Sequence, residues 1–430
     1  MPLYHFVHAA DLHLDSPFRM LTGAAPEQAQ MLRRATFEAY DGIIDLCIEE
    51  QVDALLVAGD IFDSSDNKLG SQLRFRDGLL RLAQNGIRAF VCHGNHDPLN
   101  GWRAGLDWPA EAHRFGEVPT SVPLRSDDPS SPLVYGVSYP VRDVSVNLIP
   151  QFPPRDAARP AIGLLHANVG GIPGYENYAP CSLADLTATG YDYWALGHVH
   201  TRQILRAPSE GSPVVVYPGN SQGRQSNERG ARGVYLVEMD ERGVVTDLSF
   251  RAVDVARWSS LECSIEDIEH DQDLLDALEA SVQAELDATE GRPIVYRMQL
   301  SGRGPLHKEL GRAKYLEDVR TRLNEQLASR RPFALCDGIT DETAALIDRD
   351  EIARGGDFVA DMLKLVDELR ADPNALDALA ESASLDDLYG HAKAGRYLRA
   401  IKPTGHGLLP FLDSAERMLL DGLVDEAGTT

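Results

Sequence analysis

Cysteine is scarce and unpatterned in this chain. Five residues (Cys47, Cys92, Cys181, Cys263 and Cys336) are scattered over 430 positions, odd in number and without a C-x-x-C pair. That spacing argues against a cysteine metal site or a disulfide framework and implies reduced thiols in a cytoplasmic protein. Long apolar runs are missing too, and none approaches the roughly 18 residues expected of a membrane span. The chain enters a strand at once, with no basic segment or signal-peptide core ahead of it. Positive charge is also short: the formal net charge is -25. The deficit is spread, with 21 Lys+Arg against 36 Asp+Glu from residue 251 onward and 20 against 30 before it. Such a chain has no general attraction for nucleic acid. Any grip on phosphate has to come from local basic groups or bound cations.

What is present starts with Ala54-Leu-Leu-Val-Ala-Gly-Asp-Ile-Phe-Asp63. Five apolar residues followed by Gly59-Asp60 read as a buried parallel strand that delivers a carboxylate at its C-terminal end. In open α/β sheets that end is where ligands sit. A strand over residues 3–10, a helix over about 26–50, a helix over about 69–85 and a strand over 87–92 complete a β-α-β-α-β pattern. From about 115 the segments become shorter and turn-rich (133–137, 161–166, 193–196, 214–217, 233–237, 244–253), which predicts a second, more mixed sheet packed on the first. At 430 residues the chain calls for two or three domains. The composition divides it into 1–254, a small α/β unit over 255–340 and a helical region over 341–430.

Five segments follow apolar runs and end in nitrogen or oxygen donors: Asp11 and His13; Asp60; Asn95 and His96; His166; His198 and His200. Strand exits of one layer converge, and in an extended segment residues i and i+2 share a side. Asp11 with His13, and His198 with His200, are therefore expected to enter one pocket. A single histidine of this kind is more often a satisfied core residue, but five such exits in order are a poor fit to chance. Imidazole, carboxylate and amide without thiolate suit Mn, Fe or Zn in a reactive site better than a structural zinc. Arg202, Arg206, Arg224, Arg229 and Arg232 follow the last of these motifs. Arg224 and Arg229 sit in a loop where guanidinium groups suit phosphodiesters, with a solvated, salt-bridged loop as the equal alternative. Tyr175 and Tyr178, and less so Trp102 and Trp108, are placed to stack on unpaired bases.

This order of motifs resembles the calcineurin-like metallophosphoesterase superfamily. The narrower resemblance is to the nuclease subunit of SbcCD-type DNA repair exonucleases, in its SbcD/YhaO branch. It is carried by His8-Ala-Ala-Asp-Leu-His-Leu-Asp15, Gly94-Asn-His-Asp-Pro98, Gly174-Tyr-Glu-Asn-Tyr178 and Tyr217-Pro-Gly-Asn-Ser-Gln-Gly-Arg224. The superfamily match runs from residue 4 to about 240, and past 255 only the domain order is similar. The resemblance implies an α/β fold: a metallophosphoesterase α/β/β/α sandwich with a small α/β capping domain and a helical C-terminal tail.

It also implies two divalent metal ions, Mn2+ before Fe or Zn. One would take Asp11, His13, Asp60 and His200; the other Asp60, Asn95, His166 and His198, with Asp60 bridging. By the same resemblance His96 acts on the leaving oxygen and Asp63 orients it. Phosphatases of the superfamily usually have arginine where this chain has Ser64, which tilts the reading toward nuclease. The implied partners are DNA and an SbcC- or YhaN-like ATPase, with a homodimer as a further assembly and no membrane. The implied activity is a DNA exonuclease in repair. A phosphomonoesterase on the same centre and a non-enzymatic DNA-loading scaffold are the rivals. Phe358, Met362, Leu365, Val366 and Leu369, and then Leu412, Ala415, Leu419 and Leu423, recur at helical spacing around a Gly-rich hinge at 402–407. One of these stripes is expected to dock on the ATPase or to fold back on the capping domain.

Overall fold

The computed structural model describes residues 3–14, 16, 18, 23–63, 68–209, 213–346, 349–356, 358–381, 389, 402–403 and 405–427. Asp15, Ser64, Thr404 and the side chain of Leu423 lie outside them. The chain divides into two compact units. One is Met1–Leu261 with Glu279–Met298 and Glu317–Ile339; the other is Glu262–Leu278 with Gln299–Leu316 and Thr340–Thr430.

The first unit opens as the sequence predicts: β1 (Leu3–Ala9), α1 (Pro26–Glu49), β2 (Ala54–Ala58), α2 (Leu69–Gln84), β3 (Arg88–Cys92) and a short β4 (Ala112–Arg114). Pro26 starts α1, where its missing N–H is no loss. The Ala25 N–H donates to Gln28 Oε1 at 2.9 Å. The second sheet comes from β5 (Thr120–Pro123), β6 (Leu133–Gly136), β7 (Ala161–His166), α3 (Leu183–Ala188), β8 (Tyr193–Gly197), β9 (Gln203–Arg206) and β10 (Val214–Tyr217). The chain then returns through β11 (Gly233–Asp240) and β12 (Val245–Ala252).

The two six-stranded sheets have the orders β12-β11-β1-β2-β3-β4 and β5-β6-β7-β8-β10-β9. The sequence reading grouped β11 and β12 with the second sheet; they belong to the first. β11 pairs antiparallel with β1 from Leu3↔Asp240 to His8↔Tyr235, covering what would otherwise be an open edge.

Period-two alternation explains the layers. Tyr4, Phe6, Leu56, Phe90, Leu164, Tyr193 and Val216 fill the core between the sheets. Val7, Leu55, Val57 and Val91 face outward onto Ile43, Ile44 and Cys47 of α1 and Phe75, Leu79 and Leu82 of α2. Trp194, Leu196 and Leu165 cover the other outer face with Leu186 of α3. Each large apolar side chain so buried is worth roughly 1.5–3 kcal/mol. This is an α/β/β/α sandwich.

β13 (Arg257–Ser264), α4 (Asp271–Ala288), β14 (Ile294–Ser301), α5 (His307–Leu310), α6 (Tyr315–Leu327) and β15 (Ala334–Asp341) follow, with a three-stranded sheet in the order β13-β14-β15. The end of the chain is helical: α7 (Arg349–Ala353), α8 (Phe358–Ala371), α9 (Pro373–Ala380) and α10 (Leu409–Ala427). Leu376, Ala380 and Leu408 make a small core there with Leu369, Leu409 and Leu412 packed against it. Arg349 reaches both Asp367 of α8 and Glu416 of α10, and Arg370 reaches Asp413 and Glu416. Among the described residues of α10, Glu416 and Leu420 are buried, while Leu412 and Leu419 of the expected stripe are half-buried. Phe358, Leu365, Phe411 and Met418 are left exposed.

Candidate metal centre

The loops leaving β1 and β2 run beside one another past the end of the sheet. Asp11 N–H donates to Gly59 O (3.1 Å), His13 N–H to Asp60 O (3.1 Å) and Leu14 N–H to Ile61 O (2.9 Å). This pairing brings Asp11, His13 and Asp60 together, though not as the extended i, i+2 pattern predicts. Asp11, His13 and Asp60 have φ of 52°, 45° and 52°, and His198 has 102°. Left-handed backbone at non-glycine residues is uncommon and clusters at functional sites.

Glycines make room for the convergence. A Cβ on Gly59 would lie 2.5 Å from His166 Nδ1, and one on Gly94 would lie 2.3 Å from Asp60 Oδ1. Asp97 ties the loop after β3 to the loop after β2: its carboxylate accepts from Ile61 N–H (3.0 Å) and Gly94 N–H (2.8 Å), and His93 Nδ1 lies 3.0 Å from it. His8 instead sits between the sheets, on Tyr193 Oη and Leu196 O, away from the ligand atoms.

Every predicted ligand reaches the cluster. His166 Nε2 lies 3.0 Å from Asn95 Oδ1 and 3.3 Å from Asp60 Oδ2, and His198 Nδ1 lies 3.2 Å from Asn95 Oδ1. His13 Nε2 faces His200 Nε2 at 3.2 Å, and His200 Nε2 is 3.9 Å from Asp11 Oδ1. Asp11, His13 and His200 form one group whose donor atoms all lie within 4.8 Å of one another, and Asp11, Asp60 and His166 form another. His13, Asp63 and His96 make a third.

The distal nitrogens are held as metal-bound imidazoles require. His166 Nδ1 is 2.9 Å from Ala58 O, His198 Nε2 is 2.7 Å from Glu176 O, and His200 Nδ1 is 2.7 Å from Glu228 Oε1.

The electrostatics suit bound cations. Asp11 and Asp60 are each 1% exposed. Burial pushes Asp11 up to about 6 against the pull of His166 and His200. Burial alone would raise Asp60 as well, but His166 outweighs it and holds Asp60 well below the usual carboxylate range. Burial would depress His166, yet Asp60 lifts it to about 9. Burial, helped by the Arg224 charge, lowers His13 to about 3; burial, helped by His166, lowers His198 to about 4. Two buried carboxylates share this cluster with imidazoles of which His13 and His198 resist protonation, an arrangement that suits bound positive charge. A dinuclear divalent site fits this donor set: Asp11, His13, Asp60 and His200 on one side, and Asp60, Asn95, His166 and His198 on the other.

His96 is one-third exposed beside this group, with Nδ1 2.9 Å from Asp63 O and 3.7 Å from Asp63 Oδ1. Asp63 Oδ1 also lies 3.1 Å from His13 Nδ1. A cavity of about 410 Å3 opens over Asp60, Asn95, His96, His198 and His200 and is walled by Tyr175, Tyr178 and Arg142. Tyr175 lies edge-on to His198 and His200, with centroids 5.8 and 5.9 Å away. Tyr178 donates to Asp143 Oδ1 at 2.9 Å. Trp108 packs on Phe75, while Trp102 is exposed.

Arg229 is exposed, its Nε donating to Ser226 O at 3.1 Å. Arg224 departs from the phosphate-binding expectation. Its side chain is 9% exposed, and Nη1 lies 3.0 Å from Asp63 Oδ1. The sequence reading missed Glu228, a buried carboxylate on a ligand histidine. Its only signal was an acid four residues after Arg224, in a loop read for its cations alone.

Comparison with known proteins agrees with this centre. The calcineurin-like phosphoesterase model matches residues 4–202, and the model for the middle domain of metallophosphoesterase YhaO matches residues 258–344. The chain is 33% identical over 339 residues to the uncharacterized metallophosphoesterase YhaO of Bacillus subtilis, covering 79% of this chain and 81% of that protein. It is 23% identical over 248 residues to the DNA double-strand break repair protein Mre11 of Sulfurisphaera tokodaii, covering 52% of this chain and 58% of that protein. For the Mre11 of Methanopyrus kandleri the identity is 26% over 268 residues, 55% of this chain and 54% of that protein. A buried, thiolate-free donor set on a two-sheet sandwich, with relatives of this kind, places the chain among the calcineurin-like metallophosphoesterases, in the YhaO-type family of metal-dependent phosphoester hydrolases.

Proposed function

We propose that this hydrolase is a DNA exonuclease of the SbcD/YhaO type, with Mn2+ as its working ion and an SbcC- or YhaN-like ATPase as its partner. The observation that carries the reading is the cavity over the metal ligands. Aromatic rings and an arginine wall it, and it stands beside a centre otherwise built for phosphoester cleavage. The Mre11 relatives, named for DNA double-strand break repair, support the choice of DNA. Sequence supports it again at Ser64, where a phosphate-holding arginine would favour small phosphomonoesters.

When bound, two cations activate a water and neutralise the phosphoryl oxygens of an in-line displacement. The chain supplies the rest. His96 is fixed by Nδ1–H donating to Asp63 O, so the imidazolium form would give its Nε2 proton to the departing deoxyribose oxygen and be left as the neutral Nδ1–H ring. Such a general acid typically contributes ~10²–10⁴-fold. Tyr175 and Tyr178 stack on unpaired bases, and Arg229 and Arg142 meet the backbone at the rim. Residues 1–254 carry the chemistry, 255–340 form the cap, and 341–430 dock the ATPase.

The second reading, a phosphomonoesterase, draws on Asp63 beside both His13 and His96. One experiment separates them: end-labelled DNA and a chromogenic phosphomonoester offered to the Mn2+-loaded protein. Loss of label as mononucleotides, with a much weaker chromogenic rate, is the expected result. The reverse preference overturns the nuclease reading.

A further inference from the structure

His13, Asp63, Arg224, Glu228 and His200 form a closed circuit. His13 Nδ1 lies 3.1 Å from Asp63 Oδ1, and Arg224 Nη1 donates to the same oxygen at 3.0 Å. Arg224 then turns to Glu228: its backbone N–H donates to Oε2 at 2.7 Å, and Nη2 is 3.8 Å from Oε1. Glu228 Oε1 is 2.7 Å from His200 Nδ1, and His200 Nε2 meets His13 Nε2 at 3.2 Å. Arg224 and Glu228 are almost fully enclosed, with side chains 9% and 3% exposed. A loop ion pair of the ordinary kind is solvated and worth little; here the guanidinium and Glu228 are withdrawn from solvent, and Asp63 is partly so, 27% exposed.

The circuit serves one half of the centre. The ligand histidines of the other half, His166 and His198, rest their distal nitrogens on backbone carbonyls, Ala58 O and Glu176 O. Among the described residues, only His13 and His200 of the ligand histidines take charged side chains at that nitrogen, and both those carboxylates lead to one guanidinium.

We propose that Arg224 is a positioning residue. Its guanidinium clamps Asp63 and Glu228, and through them it sets His13 and His200 for the cation they share with Asp11 and Asp60. A planar fork can serve two carboxylates at once, whereas a lysine ammonium is a single point. Loss of the fork removes the positive charge that Asp63 and the buried Glu228 share and loosens the hold of each on its imidazole. Carboxylates behind ligand histidines commonly govern metal affinity about 10- to 100-fold.

The inference rests on the dinuclear centre and not on the nucleic-acid substrate, and a metal titration without DNA keeps the two apart. The full chain, stripped of metal, is titrated calorimetrically with Mn2+. Arg224→Met lowers the affinity of one site about 10- to 100-fold and leaves the other within twofold. Glu228→Gln weakens the same site, and the double variant is no worse than the more damaged single, since both act through one unit. Arg125→Met, which removes an Arg–Asp pair remote from the centre, leaves both sites unchanged. Should Arg224→Met fail to fold, Arg224→Lys and Glu228→Gln carry the comparison. Native affinity at both sites, equal weakening of both, or fully additive losses in the double variant would each overturn the proposal.

Discussion

The Nε2 atoms of His13 and His200 face each other across 3.2 Å, although the residues stand 187 positions apart. Two imidazole nitrogens hold that distance only with a proton or a cation to share. Asp11 Oδ1, 3.9 Å from His200 Nε2, and the depressed basicity of His13 favour the cation.

The first prediction follows from the place of Asp60 between the two halves. Asp60→Ala removes the carboxylate proposed to bridge the two ions and is expected to lose both ions together with activity. His200→Ala is expected to lose mainly one. Elemental analysis after gel filtration reads the difference, and two retained ions per chain in Asp60→Ala would sink the assignment. Stripping the metal should also lower the melting temperature. A site filled at 100 times its Kd adds about 2.7 kcal/mol to stability.

His96 separates chemistry from metal binding. Its ring nitrogen rests on Asp63, its ring lies edge-on to His13, and it is the backbone N–H, which a substitution keeps, that donates to Asp60. His96→Asn should therefore keep both ions while turnover falls by ~10²–10⁴-fold. The check is single-turnover cleavage alongside metal content. Near-normal turnover removes His96 from the mechanism.

Much of this site was legible because each ligand follows an apolar run. The exits of β1, β2 and β3 from one sheet and of β7 and β8 from the other come together, so convergence held across two layers rather than within one, and the donor types named the chemistry. The detailed conformation was not legible. Asp11, His13 and Asp60 meet through left-handed backbone that no alternation of apolar and polar residues encodes. β11 joining β1 was also hidden, because an apolar strand reads the same whichever sheet it completes. Arg224 and Glu228 were invisible as a pair. Whether an arginine faces solvent or clamps two acids depends on a fold-wide contact between residues 63 and 224, not on its neighbours in the chain.

Gly197 tests how tightly the sheets must meet behind the centre. A Cβ there would lie 1.8 Å from Ala58 O, the atom that holds His166 Nδ1, and 2.9 Å from that nitrogen itself. Backbone cannot swing aside as a side chain end can. Gly197→Ala is expected to cost more than about 4 kcal/mol, in the range reserved for severe core defects. For a domain of this size that is a drop on the order of 10 °C in Tm. Gly105→Ala, where an added Cβ meets nothing within 4 Å, is the control and should stay within about 0.5 kcal/mol. Equal melting of the two variants would show that the sheets have slack.

The last prediction concerns the helical end of the chain. α8 and α10 are joined by Arg370 with Asp413 and Glu416, and by Arg349 with Asp367 and Glu416. Their inward contacts are therefore already made. Outward they leave Phe358 and Leu365 on α8, and Phe411 and Met418 on α10, each pair seven residues apart and therefore on one face of its helix. Exposed large apolar residues at that spacing suit a helical partner. Deleting residues 408–430 is expected to leave Mn2+-dependent cleavage intact, because every residue of the metal centre lies before 230, and to abolish co-purification with the ATPase. The deletion also removes Leu408 and Glu416, so a gentler variant is needed beside it. Phe411→Ser with Met418→Ser touches no buried contact and should change stability by no more than about 0.5 kcal/mol per site. The same variant should lose the ATPase on a pull-down. Full binding by the double variant would mean that these helices serve the fold of their own unit and that the partner, if it binds this chain, does so elsewhere.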